Sequence, residues 1–491
     1  MPLFDRDTVR SNALALLLAA APLAAPLAGA QTTAHPAANP ITQSATSTAT
    51  RREAREILAE LININSSSGT LGVGKVARAA AARLKAAGFD ASDVTVIGPT
   101  PEMMGLVVRL HGRDRLRKPI LLMAHLDVVT ALKADWSFDP FVFREVDGWY
   151  YGRGTDDNKT GVATLVANLL RWKREHWVPE RDVIAAMSAD EETDGNWIQW
   201  MLANHREMID AEYALNTDAG GGALDGGRPI TQSVQASEKV FANFRFEVTN
   251  PGGHSSVPRA DNAITELADA LATFGRYTFP LRLNEVSRGF FRQTAETQSA
   301  PIAADMRAVA AAVPDSGAAA RLSAMNPYYN SIMRTTCVAT RLEGGHADNA
   351  LPQKAAALVN CRMAPDDLTD SVRATLQRLA GNKVKVVLAW KVVTSPVSPL
   401  RPDLVGVVER LTRAAFPGAV VVPEMSTGAT DGLFTRNAGI PTYGISAMFG
   451  ELSDASRAHG RDERVSVKSF HDAVAFWYDM VKALAGPRVT P

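Results

Sequence analysis

The sequence predicts an α/β domain interrupted by a smaller α+β domain. Three observations carry that reading. From about residue 51, helical patterns alternate with short apolar runs. The runs PILLMAHLDVV, VIAAMSAD and YALNTD show no in-out alternation, as strands buried on both faces do. Near residue 240 the texture changes, because FANFRFEVTN alternates as a half-exposed strand does. From there the elements run β-α-β-β-α-β, the split βαβ order with helices on one face. The first texture returns at about residue 395.

Residues 1–30 read as an export signal. Arg6 and Arg10 precede an apolar run from Ala13 to Leu27, and Ala28-Gly29-Ala30 supplies a small-x-small cleavage pattern. Residues 31–50 are rich in Thr, Ser, Ala and Pro without an apolar face, which predicts a flexible tether. The first part of the α/β domain then covers 51–238. It begins with helices at about 51–62 and 74–88 and the strands VTVIG and GLVVRLHG. Further helices fall at about 159–175 and 195–209. The smaller domain covers 239–394, with a helix at about 261–274 and an Ala-rich helical insertion at about 285–325. The strands RTTCVATRL and AAALVNCRM, a helix at about 367–380 and the strand KVKVVLAW complete it. Residues 395–491 close the α/β domain with helices at about 402–415 and 466–485 around AVVVPE and IPTYGIS.

Lys+Arg and Asp+Glu both number 52 among 491 residues, so the chain has no general attraction for nucleic acid or anionic lipid. No stretch after the signal is long and apolar enough to span a bilayer. Neither nucleic acid nor, once the signal is cleaved, a membrane is an expected partner. Two cysteines cannot build a four-cysteine zinc site, so any metal must be held by His and carboxylates.

Polar residues collect where strands end, which is where open α/β sheets place ligands. LLMAHLDVV ends with His125 and Asp127. YYGRGTDDNKTG carries Asp156 and Asp157 ahead of a helix. VIAAMSADEETDG ends with Asp190, Glu191 and Glu192, and YALNTDAGGG holds Asp218; His459 follows far downstream in SRAHGRDERV. Singly, each has an ordinary reading: a solvated His, an N-cap Asp, a surface Glu pair. Together, apolar runs drive these charges toward a buried edge, where a metal offsets the cost of burying carboxylates. A His/carboxylate set suits zinc or a similar metal.

These motifs, with GGHSSVP and GATDG, resemble the two-zinc exopeptidases and deacylases. That family includes glutamate carboxypeptidase, aminoacylase, succinyl-diaminopimelate desuccinylase and carnosinase-type dipeptidases. The resemblance runs from about residue 51 to 488 and implies a zinc-exopeptidase catalytic domain, a mixed sheet covered by helices, interrupted by a dimerisation or lid domain. It implies two Zn2+ ions per subunit, with Co2+ or Mn2+ as substitutes. His125 and Asp218 would bind one ion, Glu192 and His459 the other, and Asp157 both. Asp127 would orient His125, and Glu191 would be the general base. The family's peptide bond after the bridging Asp, here Asp157–Asn158, is cis. His254, in GGHSSVP, would reach the developing oxyanion in the partner subunit of a homodimer.

An exopeptidase substrate carries a free carboxylate, which an Arg fork suits. Arg362 and Arg334 are the candidates, with Arg362 the better match to the family, and Gly428 would line the site with its backbone. If RTTCVATRL and AAALVNCRM pair around Asn349, the two Arg share a face, and Cys337 and Cys361 fall opposite each other on the other. A disulfide and two neighbouring free thiols both remain open. The expected function is an exported, periplasmic or secreted, metallopeptidase of carboxypeptidase or dipeptidase type, acting on short peptides. The alternatives are an N-acyl-amino-acid deacylase and, less favoured, a catalytically inactive binding protein, which has no need of Glu191.

Overall fold

In the computed structural model, residues 47–454 and 456–487 are described. The expected export signal and the tether through residue 46 lie outside them. The tether gives way earlier than its composition implies. A helix spans Thr48–Ile62, and the Ser47 hydroxyl caps it by accepting from the Thr50 N–H.

The large sheet has ten strands and is mixed. Its centre is parallel: Ile120–His125 lies between Val183–Ser188 and Tyr213–Asn216, and Thr442–Gly444 continues beside the latter. Gly105–Leu110 and Val94–Ile97 extend one edge antiparallel. Ile120–His125 and Val183–Ser188 are buried at every position, which is why their sequences do not alternate. The helices Thr48–Ile62, Lys159–Arg174 and Val467–Ala485 pack together over this sheet. Because the central strands are parallel, their carboxyl ends share one edge, and the polar residues that follow them meet there.

Only Lys239 separates Arg228–Glu238, a strand of the large sheet, from Val240–Thr249, the first strand of the smaller domain. That domain is a four-stranded antiparallel sheet in the order Thr336–Gly344, Lys354–Met363, Val240–Thr249, Lys385–Leu388. Helices Ala263–Gly275 and Thr369–Ala380 pack on it. It has its own core, including Phe244, Phe246, Val359 and Leu376. The β-α-β-β-α-β order therefore holds. Cys337 and Cys361 are register partners and form a disulfide, with Cα atoms 4.0 Å apart. Of the two readings left open, the disulfide is the one found.

The insertion differs from expectation. It forms Glu285–Thr294, Ala300–Val309, Ser316–Met325 and Pro327–Met333, eight residues past the expected end at 325. Phe290, Phe291, Met306 and Leu322 join the core of the larger domain, not that of the smaller one. Gly289 lies against Pro423 so closely that a Cβ would come within 2.6 Å of its ring. The chain thus leaves the smaller domain, covers the strand Val420–Ser426 of the larger one, and returns. Among the described residues no helix is long and apolar enough to cross a membrane.

Candidate metal centre and catalytic cleft

The five expected ligands converge. His125 Nε2 lies 2.8 Å from Asp157 Oδ1 and 3.5 Å from Asp218 Oδ1. His459 Nε2 lies 3.1 Å from Asp157 Oδ2 and 3.0 Å from Glu192 Oε2. The Asp157 carboxylate thus stands between two imidazoles and presents one oxygen to each. His125 is the last residue of its strand, Glu191 and Glu192 follow Val183–Ser188, and Asp218 follows Tyr213–Asn216. Asp157 precedes the helix Lys159–Arg174, and the Asp157–Asn158 bond is cis, as the resemblance implies.

The supports of these groups are built from the same loops. Asp127 has two duties. Its carbonyl lies 3.1 Å and its carboxylate 3.4 Å from His125 Nδ1, which turns Nε2 toward Asp157. The same carboxylate accepts the N–H groups of Glu191 and Glu192 at 3.2 and 3.0 Å. Asp190, in contrast, is turned away and receives the N–H groups of Asn196 and Trp197 at the start of the next helix. Lys159 is buried and donates to the carbonyls of Leu61 and Ile64, which ties its helix to the first one.

Carboxylates outnumber the imidazoles here. Burial pushes Asp218 up to about 7 and lifts Glu191 well above the usual carboxylate range, with Asp218 adding repulsion. Burial acts the same way on Asp157, but hydrogen bonds from His125 and His459 outweigh it and hold this carboxyl low. Its bonds to Asp157 and Glu192 raise His459 to about 10. Such a cluster calls for positive charge, and Glu192 Oε1 is buried without a hydrogen-bond partner. The donors are all N and O, with no sulfur. This set fits two divalent cations: His125, Asp157 and Asp218 would hold one, and Asp157, Glu192 and His459 the other.

Two residues in this region carried no sequence expectation. Glu463 is fully buried. It accepts from the N–H groups of Gly154, Asp156 and Asp157 and pairs with Arg153 at 2.5 Å. The loop of His459 thereby grips the loop of Asp157. Glu463→Gln places an NH2 among N–H donors, and it is expected to weaken metal affinity about 10- to 100-fold. Chelator competition on the folded variant measures this. Asp431, in the GATDG motif, is buried in the same cleft, and burial pushes it up to about 7.

The cleft holds about 680 Å3 and is lined by Asp157, Glu191, Glu192, Asp218 and His459 together with Arg362, Phe241 and Gly428. The Arg362 guanidinium lies over the Phe241 ring, 4.8 Å from its centroid. Arg334 does not join it. It precedes the strand Thr336–Gly344 and donates to the Phe279 carbonyl at 3.0 Å. His254 lies outside this cleft, exposed in the two-residue strand Gly253–His254, with Ser256 Oγ 2.7 Å from its Nδ1.

Residues 121–483 match the peptidase family M20/M25/M40. The chain belongs to this family. Among curated proteins it is 28% identical over 382 residues to the Homo sapiens N-fatty-acyl-amino acid synthase/hydrolase PM20D1, covering 76% of this chain and 75% of that protein. It is 29% identical over 395 residues to a probable carboxypeptidase S-like 2 of Dictyostelium discoideum, covering 77% and 74%. Human carnosine dipeptidase 1 superposes with a TM-score of 0.60 at 15% identity, over 89% of this chain and 97% of that one. An M20 family metallo-carboxypeptidase of Sulfolobus solfataricus superposes at 0.62 and 16%, over 88% and 99%. At those identities the structures share the fold. Membership of M20 places this chain among metallopeptidases and related amidohydrolases.

Proposed function

We propose that the protein is a zinc-dependent amide hydrolase whose leaving group is an amino acid with a free carboxylate. This reading covers the carboxypeptidase and dipeptidase reactions on short peptides and the hydrolysis of N-acyl amino acids, because the bond and the leaving group are the same. One observation carries it: Arg362 and Glu191 line one cleft with Asp157, Glu192, Asp218 and His459, four of the five residues of the His/carboxylate set. The curated relatives fit both branches, one being an N-fatty-acyl-amino acid synthase/hydrolase and another a probable carboxypeptidase S-like protein.

Two bound divalent cations would supply Lewis-acid polarisation of the amide carbonyl and acidification of water. The chain's own groups do the rest. Arg362 takes the substrate carboxylate through paired N–H donors and sets the depth of entry. Glu191, held by its backbone N–H to Asp127, takes a proton from the attacking water and returns it to the leaving amine. Its environment, which raises its affinity for the proton, suits that shuttle. His254 donates toward the developing oxyanion from the partner subunit of a homodimer. Its exposed position outside its own cleft supports this arrangement. Export to an oxidising compartment, periplasmic or extracellular, completes the proposal and is supported by the Cys337–Cys361 disulfide.

A panel of dipeptides and N-acyl amino acids, each with its C-terminal carboxamide counterpart and each with and without chelator, tests the reading. The carboxylates are expected to turn over and the amides to lag, with all activity lost on metal removal. Equal turnover of acids and amides would defeat the role of Arg362. Arg362→Met is expected to raise KM for the acids about 10- to 100-fold, the worth of a charged hydrogen-bonded contact. KM for the amides should change little.

A further inference from the structure

The catalytic cleft does not end at Phe241. A second groove of about 480 Å3 shares Thr193, Asp194, Phe241, Ala429 and Leu433 with it and continues to Trp390 and Val393, just past the strand Lys385–Leu388. Of its polar side chains, Lys239, Asn243 and Thr193 are engaged within the protein, whereas Asp194 and Lys391 are exposed. Lys239 Nζ donates to the Ser331 and Arg334 carbonyls and to Thr336 Oγ1. Asn243 Oδ1 accepts from Asn360 Nδ2, and Thr193 Oγ1 donates to the Asp190 carbonyl. Besides those two charges, what the groove offers a ligand is an apolar surface, with Phe241 46%, Trp390 56% and Val393 38% exposed and Leu433 half-buried. Water gains nothing from that surface, and an aliphatic or aryl group gains by covering it.

We propose that this groove is an apolar subsite of the enzyme, and that it selects substrates carrying a long aliphatic or aryl group. This rests on the amide-hydrolase reading and adds a substrate class to it. Continuity with the cleft carries the proposal, because a group attached to an amide held beside Glu191 can run past Phe241 without leaving protein. Two parts of the substrate have this chemistry: the acyl chain and the side chain of the leaving amino acid. They are distinguished by varying each with the other held constant.

The experiment measures kcat/KM for N-acyl-phenylalanines from acetyl to hexadecanoyl, and for N-acetyl amino acids with side chains from Ala to Trp. In one of the two series kcat/KM is expected to rise by about two- to fourfold per buried methylene until the groove is filled. Trp390→Ala should reduce the ratio of longest to shortest substrate at least tenfold, and Trp390→Phe should restore most of it. A purely structural effect would lower all substrates alike and would not follow this ratio. Binding of both series to the Glu191→Gln protein by calorimetry provides a readout without turnover. If no substrate is hydrolysed but affinity still tightens with apolar size and relaxes in Trp390→Ala, the groove stands and the amide-hydrolase reading falls. If hydrolysis is seen but both series are flat in rate and affinity, or Trp390→Ala leaves the ratio unchanged, the subsite is overturned and the hydrolase reading stands.

Discussion

Glu191→Gln is expected to lower kcat by on the order of a thousandfold while leaving metal content unchanged. The reason is division of labour between adjacent acids. Glu192 Oε2 faces His459 at 3.0 Å, and Glu192 offers a ligand atom within 4.8 Å of those of Asp157 and His125, so Glu192 is assigned to the ligand set. Glu191 is anchored by its backbone N–H to Asp127, and its carboxyl, within 4.8 Å of ligand atoms of His125 and Asp218, lines the cleft. The Gln amide keeps the size and loses the basic oxygen, which removes proton transfer worth roughly 10²- to 10⁴-fold. Single-turnover kinetics together with metal analysis of the purified variant decide it. Near wild-type turnover would assign the base elsewhere, and Asp431 would be the next group to test.

Asp157→Asn should do more damage by a different route. Its two oxygens address His125 Nε2 and His459 Nε2 separately, and no other described residue bridges the pair. An amide offers one weak acceptor in place of two charged oxygens and turns an N–H donor toward an imidazole. Both cations are expected to bind weakly, with metal content falling below one per chain after dialysis and activity below about 1% of wild type. Glu191→Gln serves as the contrast, because there the metal stays and the rate goes. If Asp157→Asn retained two tightly bound ions, the bridging position would have to be reassigned, with Asp156 as the neighbour to examine.

Much of the centre was legible because backbone period and strand direction carry it. Unbroken apolar runs marked buried parallel strands, and parallel strands deliver their carboxyl ends to one edge. His125, Glu191, Glu192 and Asp218 follow from that rule without any contact being known. His459 and Asp157 needed the motif resemblance, since neither follows a central strand. The opposition of Cys337 and Cys361 followed from strand register, but whether they bond did not.

Other features depend on who meets whom across hundreds of residues. Glu463 sits in GRDERV, a run that reads as a solvated charged turn, yet it is fully buried against Arg153 and three backbone N–H groups. Arg334 shares a face with Arg362 only if the strand reaches it. The strand begins at Thr336, so its period does not govern Arg334.

The sequence by itself determined the α/β and split βαβ elements, the order of the candidate metal-binding side chains and the candidate base. These rest on local periodicity and on short motifs, which each segment carries alone. Only the tertiary structure decided that the helical insertion packs on Val420–Ser426, that Glu463 joins the loops of His459 and Asp157, and that the cleft runs on to Trp390. An apolar helix face or a charged side chain states that it needs a partner. Which partner it finds is set by the packing of elements distant in the chain, and no local pattern encodes that choice.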